Sequence, residues 1–264
     1  MFGNAIGVPF IRSGVSYDAD AESFFTRAGI TDTTEKGAWN TFVLALKNNS
    51  LWTPCIAFWG CSPTSYGASL HNLKSSSYLL SATAAPSFST NGWQFNGTTQ
   101  FLQTGLIPSA VLTIDDITLG VRSRTNVENT GCDIGVSSST SSQIFLQLRK
   151  ATNIIQHNAY TNASSYTGTN TDSSGNYFFG AISSSSRYIR RNTSSLATSA
   201  AAHGSTNPTH ELYIGARNNA GVADLFSSRQ LSGAWVFEGL TTGDCDVLSG
   251  LIDTLNANII SGGR

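Results

Sequence analysis

Two hydrophobic periods divide the chain. Ala21, Phe24, Phe25 and Ala28 fall at i, i+3, i+4 and i+7, the apolar stripe of an α-helix. Asp18 or Asp20 caps its start, and Gly29 supplies the left-handed residue at its end. A second helix follows at once. Asp32-x-x-Glu35 has capping-box spacing, with Thr31 an alternative cap, and Trp39, Phe42, Val43 and Leu46 mark one apolar face until Asn48-Asn49. Residues 18–50 therefore read as a helical hairpin, preceded by an extended arm over 1–17 that shows no period. From Leu51 to about Leu240 the helical period gives way to short apolar runs separated by Ser, Gly and Asn clusters, which predicts strands. These are expected at 55–60, 78–81, 92–96, 100–104, 117–124, 131–136, 143–148, 153–159, 177–183, 187–191, 210–216 and 231–237. Gly97 predicts a tight hairpin between Trp93–Asn96 and Phe101. The polar stretches 160–176 and 183–186 read as loops, the first with an edge hairpin as its alternative. Cys245, Leu248, Leu251, Ile252, Leu255 and Ile259 return to a 3.6-residue period after Thr241-Thr242, so the chain closes on a helix. Regularly spaced turns favour a two-sheet antiparallel jelly roll spanning 51–264, the closing helix included.

Composition narrows the function. The 264 residues carry 15 Lys and Arg against 16 Asp and Glu, and charged residues make up only 12%. Arg190-Arg191 is the densest basic cluster, so no electrostatic footprint for nucleic acid or anionic lipid exists. No apolar run approaches the ~20 residues of a membrane span, and residues 1–14 lack the basic and apolar regions of a signal peptide. The expectation is a protein made in the cytoplasm without membrane insertion. Ser, Thr, Asn and 25 Gly supply the polarity, a composition that suits strands and their turns. Cys55, Cys61, Cys132 and Cys245 have neither scaffold nor zinc spacing and read as buried thiols; a Cys55–Cys61 bridge is expected only in an oxidising setting.

Several segments together resemble a group of bacteriophage virion proteins with a concanavalin A-like, or laminin G-like, jelly roll. They are TDTTEKGAWNTFVLALKNNSLW (31–52), SLHNLK (69–74), GWQFNGTTQFLQTGLIPS (92–109), GVRSRT (120–125), CDIGV (132–136), ELYIGARN (211–218), SRQLSGAWVFEGLT (228–241) and the closing helix. The resemblance covers nearly all of the chain after residue 17. It implies a mainly β lectin-like sandwich on a tail, fibre or capsid surface, and a structural or host-attachment role without catalysis. A glycan hydrolase of the same fold is the alternative.

Residue chemistry favours the first of these. Glycan-cleaving members of this fold resemble E-x-D-x-(x)-E on one strand, whereas Glu22, Glu35, Glu128, Glu211 and Glu238 lie far apart. Hydrolysis needs two carboxylates roughly 5–9 Å apart. Asp115-Asp116 read as a strand-entry turn with solvated carboxylates, since as neighbours on a strand they would point to opposite faces, and Glu128 with Asp133 would have to converge across a hairpin. No G-x-S-x-G elbow is present, and His71, His157, His203 and His210 sit in unrelated contexts. Asn126, Asp133, Asp172 and Asp224 are the oxygens available to calcium, without EF-hand or repeat spacing. No catalytic group, metal or cofactor is therefore expected.

Sugar rings offer an apolar face to aromatic side chains and polar edges to amides and carboxylates. Trp59, Tyr66, Tyr166 and Tyr177 lie in or beside predicted loops and are the expected glycan platform, while Trp39, Trp93 and Trp235 belong to periodic apolar runs and to the core. Arg122 and Arg124 alternate on one strand, so they share a face that serves either solvent, an interface or a glycan. In the arm, Phe2, Ile6, Val8, Phe10 and Ile11 have no internal partner in the pattern. They are expected to bury in another virion subunit, as part of a homo-oligomeric assembly.

Overall fold

Helices form where caps and apolar stripes place them. The computed structural model describes residues 16–61, 65–160, 166–201 and 204–261; the arm residues Phe2, Ile6, Val8, Phe10 and Ile11 lie outside these. Helix α1 (Ala19–Ala28) starts at Asp18, whose carboxylate accepts the Asp20 N–H at 3.0 Å, and ends at Gly29 with φ 66°. Helix α2 (Thr33–Asn48) is capped by Asp32, which accepts the Glu35 N–H at 2.8 Å. Asp18 and Asp32, rather than Asp20 and Thr31, are thus the caps. Single turns α3 (Tyr66–Ser69) and α4 (Pro108–Val111) interrupt the strands, and α5 (Thr242–Ser261) closes the described chain. At its start Thr241 and Asp244 cap each other: the Asp244 N–H donates to Thr241 Oγ1 at 3.1 Å and the Thr241 N–H to Asp244 Oδ2 at 2.9 Å.

Two eight-stranded sheets make up the rest. One, sheet A, holds β1 (Cys55–Gly60), β2 (Ser87–Ser89), β3 (Gly92–Gln94), β5 (Ile117–Ser123), β10 (Gly175–Ser183), β11 (Ser186–Arg191), β12 (Ser194–Ser199) and β16 (Gln230–Phe237). Their order is β12-β11-β10-β5-β16-β3-β2, with β1 beside β3 along the same edge of β16. Sheet B holds β4 (Leu102–Gln103), β6 (Ile134–Ser139), β7 (Ser142–Lys150), β8 (Ile154–Tyr160), β9 (Tyr166–Thr169), β13 (Tyr213–Ile214), β14 (Arg217–Asn219) and β15 (Val222–Asp224). Its path runs β15-β14-β6-β7-β8-β9, with β13 between β6 and β4. Pairing between strands is antiparallel except for β6 with β14. The result is a mainly β, lectin-like jelly-roll sandwich with an N-terminal helix pair and a C-terminal helix.

Three strand expectations change. Residues 78–81 contribute a single bridge, Ser81 to Gln103, in place of a strand. The 92–104 hairpin does not form: β3 pairs with β2 and β16 in sheet A, whereas β4 pairs with β13 in sheet B. Gly97, at φ 77°, instead turns the chain from one sheet to the other, its N–H donating to the Ser227 carbonyl at 3.0 Å. Polar strand β12 formed from sequence with no alternation strong enough to predict it, and β9, within the 160–176 stretch, forms the edge hairpin with β8 that was the alternative there.

Alternation on the central strands explains the layers. Ile117, Leu119 and Val121 of β5, Ala57 and Trp59 of β1, and Leu231, Ala234 and Val236 of β16 point into the core between the sheets. Their neighbours Phe58, Trp235, Phe237 and, on β10, Phe178 face the other way, into a second core with α1, α2 and α5. Rings cross that second core in sequence: Phe24 on Trp39 at 5.0 Å, Phe42 on Phe58 at 5.0 Å, Phe58 stacked on Trp235 at 5.7 Å, and Trp235 on Phe178 at 5.2 Å. Trp39, Trp93 and Trp235 are core residues, as their periodic neighbours suggested. Gly120 admits the Trp235 indole onto β5; a Cβ there would sit 2.0 Å from Trp235 Nε1 and 2.3 Å from the Tyr177 carbonyl. Gly120→Ala is therefore expected to destabilise the protein by about 3 kcal/mol, the upper range for overpacking, measured as a lowered urea midpoint with an unchanged far-ultraviolet spectrum in the absence of denaturant.

Candidate functional site

A polar groove of about 490 Å³ opens where the outer face of sheet A emerges from beneath α5. Arg122, Ser123 and Arg124 of the β5 end, Gln230 at the start of β16, and Ser174 and Gly175 leading into β10 line it. Asn91 in the β2–β3 turn, Asn192 in the β11–β12 turn and Asp253 of α5 complete the lining. Arg124 continues the strand ladder, its N–H donating to the Gln230 carbonyl at 2.8 Å. The two arginines share one face, as their i, i+2 spacing requires, roughly 7 Å apart along the strand.

Helix α5 reaches this position through a polar stripe. Asp246, Ser249 and Asp253 recur at i, i+3 and i+7, and each meets a different strand. Asp246 pairs with Arg190 of β11, Ser249 accepts from the buried Asn176 of β10 at 2.9 Å, and Asp253 pairs with Arg122 of β5. Arg122 also donates to Asn176 Oδ1 at 2.7 Å. Its charge is thus matched inside the wall of the groove.

Arg124 differs. Its recorded side-chain hydrogen bond is to Asn91 Oδ1 at a long 3.3 Å, and among the described residues no carboxylate oxygen lies within the 4.0 Å of an ion pair. Burial lowers its pKa, and the neighbouring Arg122 pushes it the same way. A guanidinium nevertheless stays charged at neutral pH, so the groove presents a half-buried cation with no carboxylate in ion-pair contact among the described residues, Asp253 acting on it only from its place beside Arg122.

The expected aromatic platform is not assembled. Trp59 and Tyr177 are fully buried and therefore cannot meet a sugar. Trp59 Nε1 donates to the Tyr78 carbonyl at 2.7 Å inside the sandwich, and the Tyr177 hydroxyl donates to the Asp172 carbonyl and accepts from Asn170 at 2.9 Å. Tyr66 is half-buried against Phe88, 5.9 Å away, and half-buried Tyr166 on β9 donates to the Thr198 carbonyl. These four lie in different regions and none lines the groove. Loop-like composition around Trp59 and Tyr177 masked inward-facing positions next to strand ends.

The carboxylates weighed as catalytic or calcium-binding groups are engaged elsewhere. Asp133 is fully buried in an ion pair with Arg229 Nη1 at 2.9 Å, and it also accepts from Ser227 Oγ at 2.8 Å and the Leu148 N–H at 3.0 Å. Exposed Glu128 instead accepts the Asn153 N–H at 3.1 Å on the surface. Asp116 accepts the Gly239 N–H at 2.7 Å in the turn before β5. Asp172 pairs with Arg191 and Asp224 with Arg217, while Asn126 accepts from Arg149 at 2.8 Å. Among the described residues no three His, Cys, Asp or Glu gather around a metal position.

Histidine and cysteine chemistry is likewise structural. His157 is buried and stacks on Phe179 with ring centroids 4.0 Å apart. Ser138 Oγ lies 2.9 Å from His210 Nδ1, yet the same oxygen accepts the Thr209 and His210 N–H groups at 2.8 and 3.2 Å, which makes it a loop anchor. His203 lies outside the described residues. All four cysteines are free and buried, and burial pushes the Cys55 thiol up to about 12 and Cys61 to about 11.

Sequence reading placed Arg122 and Arg124 on one face without choosing among solvent, interface and glycan, and missed the residues beside them. Nothing in the pattern of the chain singled out Asn91, Asn192 or Asp253. Their convergence depends on strand order, which carries no local signal.

No family model matches the sequence, and no curated protein matches it. Solved structures do share the fold. Domain 4 of AbnA, an extracellular GH43 arabinanase from Geobacillus stearothermophilus in complex with arabinotriose, is 12% identical with a TM-score of 0.51, covering 74% of this chain and 98% of that one. A mutant Trypanosoma rangeli sialidase displaying trans-sialidase activity is 12% identical with a TM-score of 0.53, over 82% of this chain and 39% of that one. An HCR/D mutant is 11% identical with a TM-score of 0.54, over 76% of this chain and 52% of that one. The chain thus spans under two-thirds of the sialidase and HCR/D chains. At these identities the likeness is one of fold, a lectin-like sandwich.

Asp133 and Glu128 separate a structural from a catalytic carboxylate. Asp133→Asn is expected to cost about 3–5 kcal/mol, because it leaves Arg229 buried without its counter-charge, whereas Glu128→Gln costs under about 1 kcal/mol. Urea denaturation of the two variants measures the difference.

Proposed function

We propose that this chain is a non-catalytic glycan-binding protein and that its ligand lies in the Arg122–Arg124 groove. The observation that carries the reading is the groove itself: amide, hydroxyl and guanidinium groups from several separate elements converge on one open, polar cleft of a lectin-like sandwich. Amides and guanidinium groups of this kind hydrogen-bond sugar hydroxyls, and their positions are fixed by backbone ladders, so little ordering is needed on binding. The arabinanase domain of the same fold, in complex with arabinotriose, supports the assignment by analogy. Engagement of the candidate carboxylates in ion pairs and backbone contacts favours binding over hydrolysis.

The resemblance to phage virion proteins extends the proposal to setting. In it, the protein sits on a tail or capsid surface as a homo-oligomer, the arm residues Phe2, Ile6, Val8, Phe10 and Ile11 bury in a neighbouring subunit, and the groove faces host glycans. No helix among the described residues is long and apolar enough to cross a membrane.

A glycan array followed by calorimetry tests the binding. The wild type is expected to retain a defined oligosaccharide, Asn192→Ala with Gln230→Ala to weaken it by at least about tenfold, and incubation to release no new reducing ends. Unaltered binding by the double variant would move the site elsewhere, and reducing-end release would restore the hydrolase reading. Antibody labelling of purified phage particles tests the setting; unlabelled particles would contradict it.

A further inference from the structure

We infer that the glycan bound in this groove is acidic, with a carboxylate or sulfate seated on Arg124. The inference rests on the glycan-binding reading above and adds a ligand class to it. Its basis is a local charge imbalance. Two guanidinium groups and one carboxylate line the groove, and that carboxylate, Asp253, is already held by Arg122 in the wall. Asn176 takes a further Arg122 donor and is itself pinned by Ser249, so the Arg122 side is closed by buried, mutually bonded groups.

Among the described residues, Arg124 is left with one long hydrogen bond to a neutral amide. Arg122, Arg149, Arg190, Arg191, Arg217 and Arg229 each have a carboxylate within 4.0 Å, and Arg27, which has none, donates instead to the Asn72 and Leu73 carbonyls at 3.2 and 3.1 Å. Half-burying a cation beside a second cation carries a desolvation and repulsion cost that the long Asn91 contact offsets only in part. An anion in the groove removes that cost and accepts charge-assisted hydrogen bonds from the planar fork. Neutral donors and acceptors around it, Asn91, Asn192, Ser174 and Gln230, suit the hydroxyls of the sugar that carries the charge. A free inorganic anion would use Arg124 but add no contact to these groups.

Calorimetry on the full chain, with oligosaccharides matched in pairs, tests the inference. Each pair contains one neutral member and one bearing a carboxylate or sulfate, and inorganic phosphate and sulfate form a separate arm. Acidic members are expected to bind at least about tenfold more tightly than neutral partners, and raising the salt concentration weakens only the acidic members. Arg124→Gln is expected to abolish that preference without lowering the urea midpoint of the unliganded protein, Arg124→Glu to reverse it, and Arg217→Gln, which removes the same charge on sheet B, to leave it intact. Equal binding of both members with no effect of Arg124→Gln would overturn the acidic ligand and leave glycan binding standing. No binding by any oligosaccharide would overturn the glycan reading itself. Phosphate or sulfate binding as tightly as the acidic sugars, with the same dependence on Arg124, would overturn a sugar ligand.

Discussion

Sheet A must be dry on both faces, and the rest of the molecule follows from that constraint. Its central strands are apolar toward the opposing sheet and, on alternate positions, aromatic toward the helices. A strand buried on both sides cannot stand alone in water, because half of its apolar surface would stay exposed. The helix pair and α5 cover that half, and the stacked Phe58–Trp235 pair carries the contact from β1 to β16. Along β5 the outward positions run Thr118, Gly120, Arg122, Arg124, changing from residues that tolerate cover to residues that need water or a counter-charge. The groove begins where that change occurs.

Polar contacts then fix where the cover ends. The α5 stripe of Asp246, Ser249 and Asp253 spans three adjacent strands, so sliding the helix by one turn would strand Arg190, Asn176 and Arg122 together. At the other side of the groove, the buried Asp133–Arg229 pair holds the start of β16. Arg229 also donates to the carbonyls of Val127, Asn129 and Arg149 at 3.0, 3.3 and 2.7 Å, tying the segment before β6 to sheet B. Such a pair adds little net stability relative to an apolar replacement, but removing one partner is costly, so its main consequence is register. Gln230, the next residue, inherits its position in the groove from this lock.

Much of the architecture was legible because it rests on local rules. The caps Asp18 and Asp32, the apolar stripes through Phe24 and Phe25 and through Trp39, Phe42 and Leu46, the Leu248–Ile259 period and most long strands follow from spacing alone. Polar strand β12 escaped, since Ser and Thr alternate without an apolar partner to reveal a face, and β9 was legible only as the edge-hairpin alternative to a loop. Gly97 was read as a turn, correctly, but whether a turn joins paired strands or passes between sheets is a tertiary matter. Of the candidate site, only the shared face of Arg122 and Arg124 was legible. Trp59 and Tyr177 have the composition of a sugar platform yet point inward, and the amides that line the groove come from two turns, at Asn91 and Asn192, and from the start of β16, at Gln230.

The central claim is that a glycan sits where the helical cover of sheet A stops. Titration of the ¹⁵N-labelled protein with the tightest acidic oligosaccharide, followed by amide and arginine Nε chemical shifts, tests it most directly. The account predicts shifts concentrated at Asn91, Arg122, Arg124, Gly175, Asn192 and Gln230, with the Arg124 side chain among the largest. Shifts clustered instead on β7 and β8 of sheet B, around Phe145, Gln147 and Gln156, with Arg124 unmoved, would contradict it.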